Sequence, residues 1–133
     1  MDLGLRKKVA IVTGGSDGIG KAAAMGFARE GARVVICARG KERLESVADE
    51  ISECTGVVVK PIRADVTSSD DVRHVVEATA EIFGKIDILV NNAGTSSALS
   101  FEKATDDDWQ EDLDLKLWAA IRFSRHVIPH MKR

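Results

Sequence analysis

The sequence predicts an α/β fold, a parallel sheet with helices on both of its faces, from two observations. Short apolar runs rich in β-branched residues alternate with helical patterns along the chain, which is the signature of successive βαβ units. The first run and the first helical pattern are joined by TGGSDGIG at 13–20, where four of eight residues are glycine.

Each element is read from its own stretch. VAIVT (9–13) is a continuous apolar run ending at glycine, as expected for a strand buried on both faces. The alanine-rich stretch 19–31 closes on REG, predicting a helix with a terminal glycine. RVVICA (33–38) is a second buried strand. In KERLESVADEISE (41–53), Leu44, Val47, Ala48 and Ile51 recur at i, i+3, i+4 and i+7, one stripe of a helix. VVVKPI (57–62) is a third strand, with Pro61 near its end. TSSDDVRHVVEATAEIFG (67–84) opens on capping residues and acids and continues with Val72, Val75, Val76, Thr79 and Phe83. It stops at Gly84, so a second amphipathic helix is expected there. IDILV (86–90) is a fourth strand and runs into NNAG at 91–94.

The last segment, 105–131, predicts one long helix. Thr105 is its N-cap, and Asp106, Asp107 and Asp108 suit the positive helix start. At about 100° per residue, Trp109, Leu113, Leu117, Ala120, Ile121 and Val127 share a face, widened by Leu115, Trp118 and Ala119. A band this wide predicts one side on the sheet and another on a second copy of the chain, a homo-oligomer through 105–131. Burial within its own domain accounts for the same pattern.

Bulk composition bounds the function. The 133 residues suit one domain, 1–133, with 44% hydrophobic and 30% charged residues. Lys plus Arg is 19 against 21 Asp plus Glu, a net charge of −2, with no long basic run, which argues against a nucleic-acid partner. No apolar stretch is long enough to span a bilayer, and the N-terminal apolar run is too short for a signal peptide. Cys37 and Cys54 form no CxxC pair, so a reducing, cytoplasmic setting is expected. Both are read as packing residues.

The glycines have a physical purpose. Gly18, Gly20 and Ala23 match G-x-G-x-x-A, with Gly14 four residues ahead of Gly18. Missing side chains let a ligand approach the backbone, and the free N–H groups of the helix start then face an anion. A tight turn without a ligand explains glycines too, but a strand before and a helix after point to a dinucleotide pyrophosphate. Cofactor choice rests on the end of the second strand. A carboxylate there would hold a ribose 2′-OH, whereas an arginine accommodates a 2′-phosphate. This strand ends ICARGKER, with no acid at Cys37 or Ala38 and Arg39 next. The expected cofactor is NADP(H), with Arg39 on the phosphate; Asp17, in the glycine turn, adds no positive charge.

TGGSDGIG, ADV (64–66) and NNAG together resemble the short-chain dehydrogenase/reductase family, in order and spacing, over essentially the whole chain. Within it the look is similar to 3-oxoacyl-acyl-carrier-protein reductase-like members. The resemblance implies a Rossmann-type sheet and hydride transfer between NAD(P)H and a small carbonyl or alcohol substrate. By position it implies that Gly14, Ser16, Asp17, Gly18, Ile19 and Gly20 line the pyrophosphate and ribose. Asp65 and Val66 would lie against the adenine, Asp65 accepting from its amino group. Asn92, Ala93 and Gly94 would sit behind the adenosine ribose and brace the sheet. We expect strand order 3-2-1-4.

Two departures bear on activity. The family's catalytic serine and Tyr-x-x-x-Lys pair would lie beyond residue 133, and this chain contains no tyrosine. The family's helix asparagine, seven residues after Trp109, is replaced by Lys116. By helical angle Lys116 faces inward or borders the buried stripe, as a snorkelling side chain or as a lysine in the asparagine's place in a proton relay. Two functions fit these residues. One is an N-terminal portion of an NADP(H)-dependent oxidoreductase, truncated before the later strands and leaving an open edge at strand four that needs a partner. The other is a non-catalytic dinucleotide-binding or protein-interaction module. His126 and His130 stand at i, i+4, but Pro129 between them should distort the helix, so no metal site is assigned. His74 is expected to face solvent, and the run DDDWQED to be a solvated helix start.

Overall fold

A computed structural model of the chain describes residues 1–94 and 99–133. Strands and helices alternate: β1 (Val9–Thr13), α1 (Gly18–Arg29), β2 (Arg33–Ala38), α2 (Lys41–Thr55), β3 (Val59–Arg63), α3 (Ser69–Phe83) and β4 (Ile88–Val90), then α4 (Asp106–Leu113). A π-helical turn, Asp114–Trp118, joins α4 to a fifth helix, α5 (Ala119–Met131). The described strands form one sheet in the order β3-β2-β1-β4. All three pairings are parallel, with Ile11 opposite both Val35 and Leu89.

The continuous apolar runs reflect burial on both faces. Side chains alternate across a strand, so Ile11, Val35 and Cys37 pack with Val72, Val75 and Val76 of α3 and Phe123 and Val127 of α5. Their neighbours Val12, Val34 and Ile36 pack on the opposite face with Ala24 and Ala28 of α1 and Leu44, Val47 and Ile51 of α2. Local chemistry marks the helix ends. The Ser68 hydroxyl accepts from the Asp71 N–H at 3.2 Å, and Gly84 ends α3 in the left-handed region at φ 78°. Thr105 and Asp108 form a reciprocal capping box at the start of α4.

Several expectations are corrected. β4 begins at Ile88 rather than 86, because Asp87 is tied to the start of β1. Its N–H donates to the Val9 carbonyl, and its Oδ2 accepts from the Val9 N–H, each at 2.9 Å. β3 begins at Val59, since the Val57 N–H is taken by the Thr55 hydroxyl. Pro61 is tolerated because β3 lies at the sheet edge. Cys54 is exposed rather than packed, and α5 runs on through Pro129.

The largest correction concerns 105–131. It is not one uniform helix. Its buried stripe is Ala119, Phe123 and Val127, extended by the half-buried Leu115. Trp109, Leu113, Leu117 and Ile121, predicted to share the face of Val127, are exposed. A π turn accommodates an extra residue, which rotates the helix before it by about 100° relative to the helix after it. A uniform helical count across Asp114–Trp118 therefore assigns the wrong side to Trp109 and Leu113, whereas Ile121, six residues before Val127 on α5 itself, lies about 120° away from it on a regular helix.

Candidate functional site

In a parallel sheet the carboxyl ends of all strands share one edge, and loops from neighbouring strands converge there. At that edge of this sheet lies a cavity of about 590 Å³. The glycine turn contributes Gly14, Ser16, Asp17, Gly18 and Ile19; Arg39 follows β2; Asp65 and Val66 follow β3; Asn92, Ala93 and Gly94 follow β4. Of the residues expected to bind a cofactor, all but Gly20 thus meet in one place. Gly20 acts beneath the surface. A Cβ there would overlap the Gly14 carbonyl oxygen and the Asn92 side-chain amide. Gly14 itself sits at φ 64°, and a Cβ on it would stand 3.1 Å from the Ala93 Cα. The turn and the NNAG loop are therefore packed backbone against backbone.

Thr13, not among the expected site residues, locks them together. Its hydroxyl accepts from the N–H groups of Asn92 and Ala93, both at 2.9 Å, and donates to the Val90 carbonyl at 3.3 Å. The Asn92 side-chain amide then donates to the Gly14 carbonyl at 3.3 Å. Thr13 is 2% exposed, so these bonds form largely away from competing water. A hydroxyl at the end of an otherwise apolar strand was the available signal. On the other side, the Gly14 N–H donates to the Cys37 carbonyl at 2.9 Å. Burial pushes the Cys37 thiol up to about 12, opposed by the backbone hydrogen bond from Gly14. It stays a neutral packing group.

The electrostatics favour an anion. Asp17 caps α1, its Oδ1 accepting from the Gly18 N–H at 2.8 Å, and the first turn of α1 holds no acid. The N–H groups of that helix start face the cavity beside the capping Asp17 carboxylate, and the turn that follows adds no further acid. Arg39 is exposed and, among the described residues, pairs with no carboxylate. Arg63 reaches over from β3 and donates through Nε to the Arg39 carbonyl at 3.3 Å. Arg43, on the first turn of α2, also lines the cavity and was missed, since nothing local distinguishes it from a solvated helix residue.

Asp65 is partly committed. The Thr67 hydroxyl and then the Thr67 N–H donate to its Oδ1, at 2.7 and 3.0 Å. These bonds, with Arg39 and Arg63 nearby, hold its carboxyl below the ordinary value despite some desolvation. Among the described residues Oδ2 receives no hydrogen bond, so it is the oxygen available to a ligand amino group. Lys116 does not face inward. Its side chain is 48% exposed, its Nζ lies 3.0 Å from Asp112, and its aliphatic stem passes beside Gly94. It snorkels along the rim of the site. His74 is exposed, and among the described residues no cluster of three His, Cys, Asp or Glu side chains could hold a metal.

The cavity fits a dinucleotide on the chain's own geometry: glycine backbone where side chains would collide, a helix whose first turn after its cap holds no acid, and unpaired arginine at the end of β2. Comparison with known proteins agrees. The family model for short chain dehydrogenase matches residues 8–133. The uncharacterized oxidoreductase YvrD of Bacillus subtilis is 38% identical over 98% of this chain and 49% of its own length. A 3-oxoacyl-acyl-carrier-protein reductase of Thermotoga maritima is 35% identical over 96% of this chain and 51% of its own. The structure of L-sorbose reductase from Gluconobacter frateurii, complexed with NADPH and L-sorbose, superimposes with a TM-score of 0.95 at 45% identity, covering 99% of this chain and 50% of that one. An alcohol dehydrogenase from Thermococcus sibiricus, complexed with 5-hydroxy-NADP, gives 0.90 at 32% identity over 95% of this chain and 54% of that one. The chain spans about half the length of the curated relatives it matches. With the βαβ order, the sheet order and a family match from residue 8 to residue 133 in agreement, the chain belongs to the short-chain dehydrogenase family.

Proposed function

We propose that this chain is the cofactor-binding portion of an NADP(H)-dependent oxidoreductase that transfers a hydride between nicotinamide and a small carbonyl or alcohol substrate. One observation carries the reading: the glycine turn opens onto the same cavity as an unpaired arginine at the end of β2, where no carboxylate stands. A carboxylate there would repel a 2′-phosphate, whereas a guanidinium binds it through a planar fork. The NADPH and hydroxy-NADP complexes of two structural neighbours support the same choice.

When bound, NADPH supplies the hydride. The chain's own residues hold and orient it. Gly14, Ser16, Gly18, Ile19 and the start of α1 receive the pyrophosphate, and Asp17 fixes the helix start. Arg39 takes the 2′-phosphate, and Asp65 and Val66 flank the adenine. Asn92, Ala93 and Gly94, anchored by Thr13, form the wall behind the adenosine ribose. With no tyrosine among the 133 residues, we assign the proton-donating tyrosine and lysine, and the substrate loops, to a part of the protein outside them. The half-exposed Leu113, Leu117 and Trp118 support pairing with a second copy along α4 and the π turn. No described helix is long and apolar enough to cross a membrane, and the free thiols Cys37 and Cys54 suit a cytoplasmic setting.

The test is nucleotide binding followed by turnover. NADPH should bind the folded chain saturably and more tightly than NADH, and the natural protein should oxidise NADPH with a carbonyl substrate. Binding without turnover in the natural protein would leave a nucleotide-binding module. A folded chain that binds neither nucleotide would end the cofactor reading.

A further inference from the structure

The glycine turn of this chain carries an acid, Asp17, where a positive charge would help to hold a phosphorylated ribose. The tertiary structure brings a cation to that point from elsewhere. Arg43 reaches back from the first turn of α2, where its Nε donates to the Ser16 carbonyl at 3.1 Å and its Nη2 lies 3.2 Å from Asp17 Oδ1. A guanidinium has five N–H donors. These contacts engage Nε and one Nη2 hydrogen, and among the described residues Nη1 makes none. The side chain is 63% exposed and lines the same cavity as Arg39, which stands four residues earlier, across the helix-capping Gly40.

From this arrangement we infer that Arg43 is a second specificity-determining residue for the 2′-phosphate, supplying from α2 the positive charge that the glycine turn lacks. The inference rests on the NADP(H) reading above and extends it to a residue outside the sequence motifs. Ser16 and Asp17 hold the guanidinium in a defined orientation, so less side-chain entropy is lost when phosphate arrives. The bridge also neutralises Asp17, whose carboxylate would otherwise repel the phosphate. Arg39 and Arg43 then approach the same group from the two sides of Gly40.

The experiment compares Arg43→Ala, Arg43→Lys and Arg39→Ala with the unchanged chain. Each is titrated with NADPH, NADH, 2′,5′-ADP and 5′-AMP, with circular dichroism as the folding control. Arg43→Ala should weaken NADPH and 2′,5′-ADP by roughly tenfold, while NADH and 5′-AMP shift by less than about twofold. Arg43→Lys should recover part of the loss, because it restores the charge without the fork. An equal loss for phosphorylated and unphosphorylated nucleotides would make Arg43 a structural strap and overturn the inference. So would full NADPH affinity in Arg43→Ala. In both of those cases the wider reading survives, because the unchanged chain still prefers NADPH. Failure of the unchanged chain to bind any of the four removes both readings.

Discussion

Replacing Thr13 by valine tests how the site is assembled. The two side chains have nearly the same shape, so the core around β1 should be left intact. What disappears is an oxygen that accepts two N–H groups, from Asn92 and Ala93, and donates to Val90. Each buried donor left unsatisfied costs about 1–3 kcal/mol. Asn92 and Ala93 are only half-buried, so water can reach the loop, and the lower end of that range applies to each. The expected loss is about 2 kcal/mol in all. For a domain of this size that lowers Tm by about 5–10 °C. Nucleotide affinity should fall as well, because Asn92, Ala93 and Gly94 wall the cavity. The fall should be similar for NADPH and NADH, since Thr13 touches neither the 2′-phosphate site nor Arg39. Thr13→Ser keeps the oxygen and should retain most of the binding. The assays are urea unfolding and nucleotide titration on all three forms. A valine variant within about 0.5 kcal/mol of the unchanged chain, with unaltered affinity, would refute the role given to the hydroxyl.

Other predictions rest on the same geometry. Gly20→Ala should cost more than an ordinary glycine replacement in a helix and should abolish nucleotide binding, because its methyl would meet the Gly14 carbonyl; a titration and a melt decide this, and Gly26→Ala on the same helix, with open space around it, is the control. Arg39→Asp should invert the preference from NADPH to NADH, changing the ratio of their dissociation constants by roughly a hundredfold; an unchanged ratio would remove Arg39 from the 2′-phosphate site. Asp65 has a carboxyl held below its ordinary 3.8, chiefly by the Thr67 hydroxyl. Its contribution to stability is therefore complete above that value and is lost as pH falls through the lower folded value. Thr67→Val should move the Asp65 carboxyl upward in an NMR titration and reduce the acid sensitivity of folding; an unmoved titration would show that the hydroxyl is not the cause.

Much of this architecture is written locally. The four apolar runs, the stripe Leu44, Val47, Ala48 and Ile51, and the caps at Ser68 and Gly84 depend on neighbours a few residues away. Their periodicity reports them without any knowledge of the fold. The glycine turn is legible for the same reason, since its backbone requirements belong to consecutive residues. The sheet edge then brings the motifs after β1, β2, β3 and β4 to one cavity, because parallel strands end on the same side.

The features that the tertiary structure alone decided lie at longer range or depend on a local irregularity. Thr13 meets Asn92 and Ala93 across nearly eighty positions of sequence, through the β1–β4 register, and no pattern along the chain predicts which hydroxyl will face which loop. Arg43 and the glycine turn are brought together by the packing of α2 beside α1, which a solvated-looking arginine does not announce. The outward turn of Lys116 and the half-burial of Leu115 depend on the π-helical segment Asp114–Trp118. One extra residue there rotates the two halves of the segment against each other, and helical periodicity read from sequence assumes a constant turn. Sequence by itself determined the elements and the cofactor motifs, which arise from interactions between near neighbours. Tertiary structure decided which distant groups complete them, because partner choice is set by register and packing across the sheet.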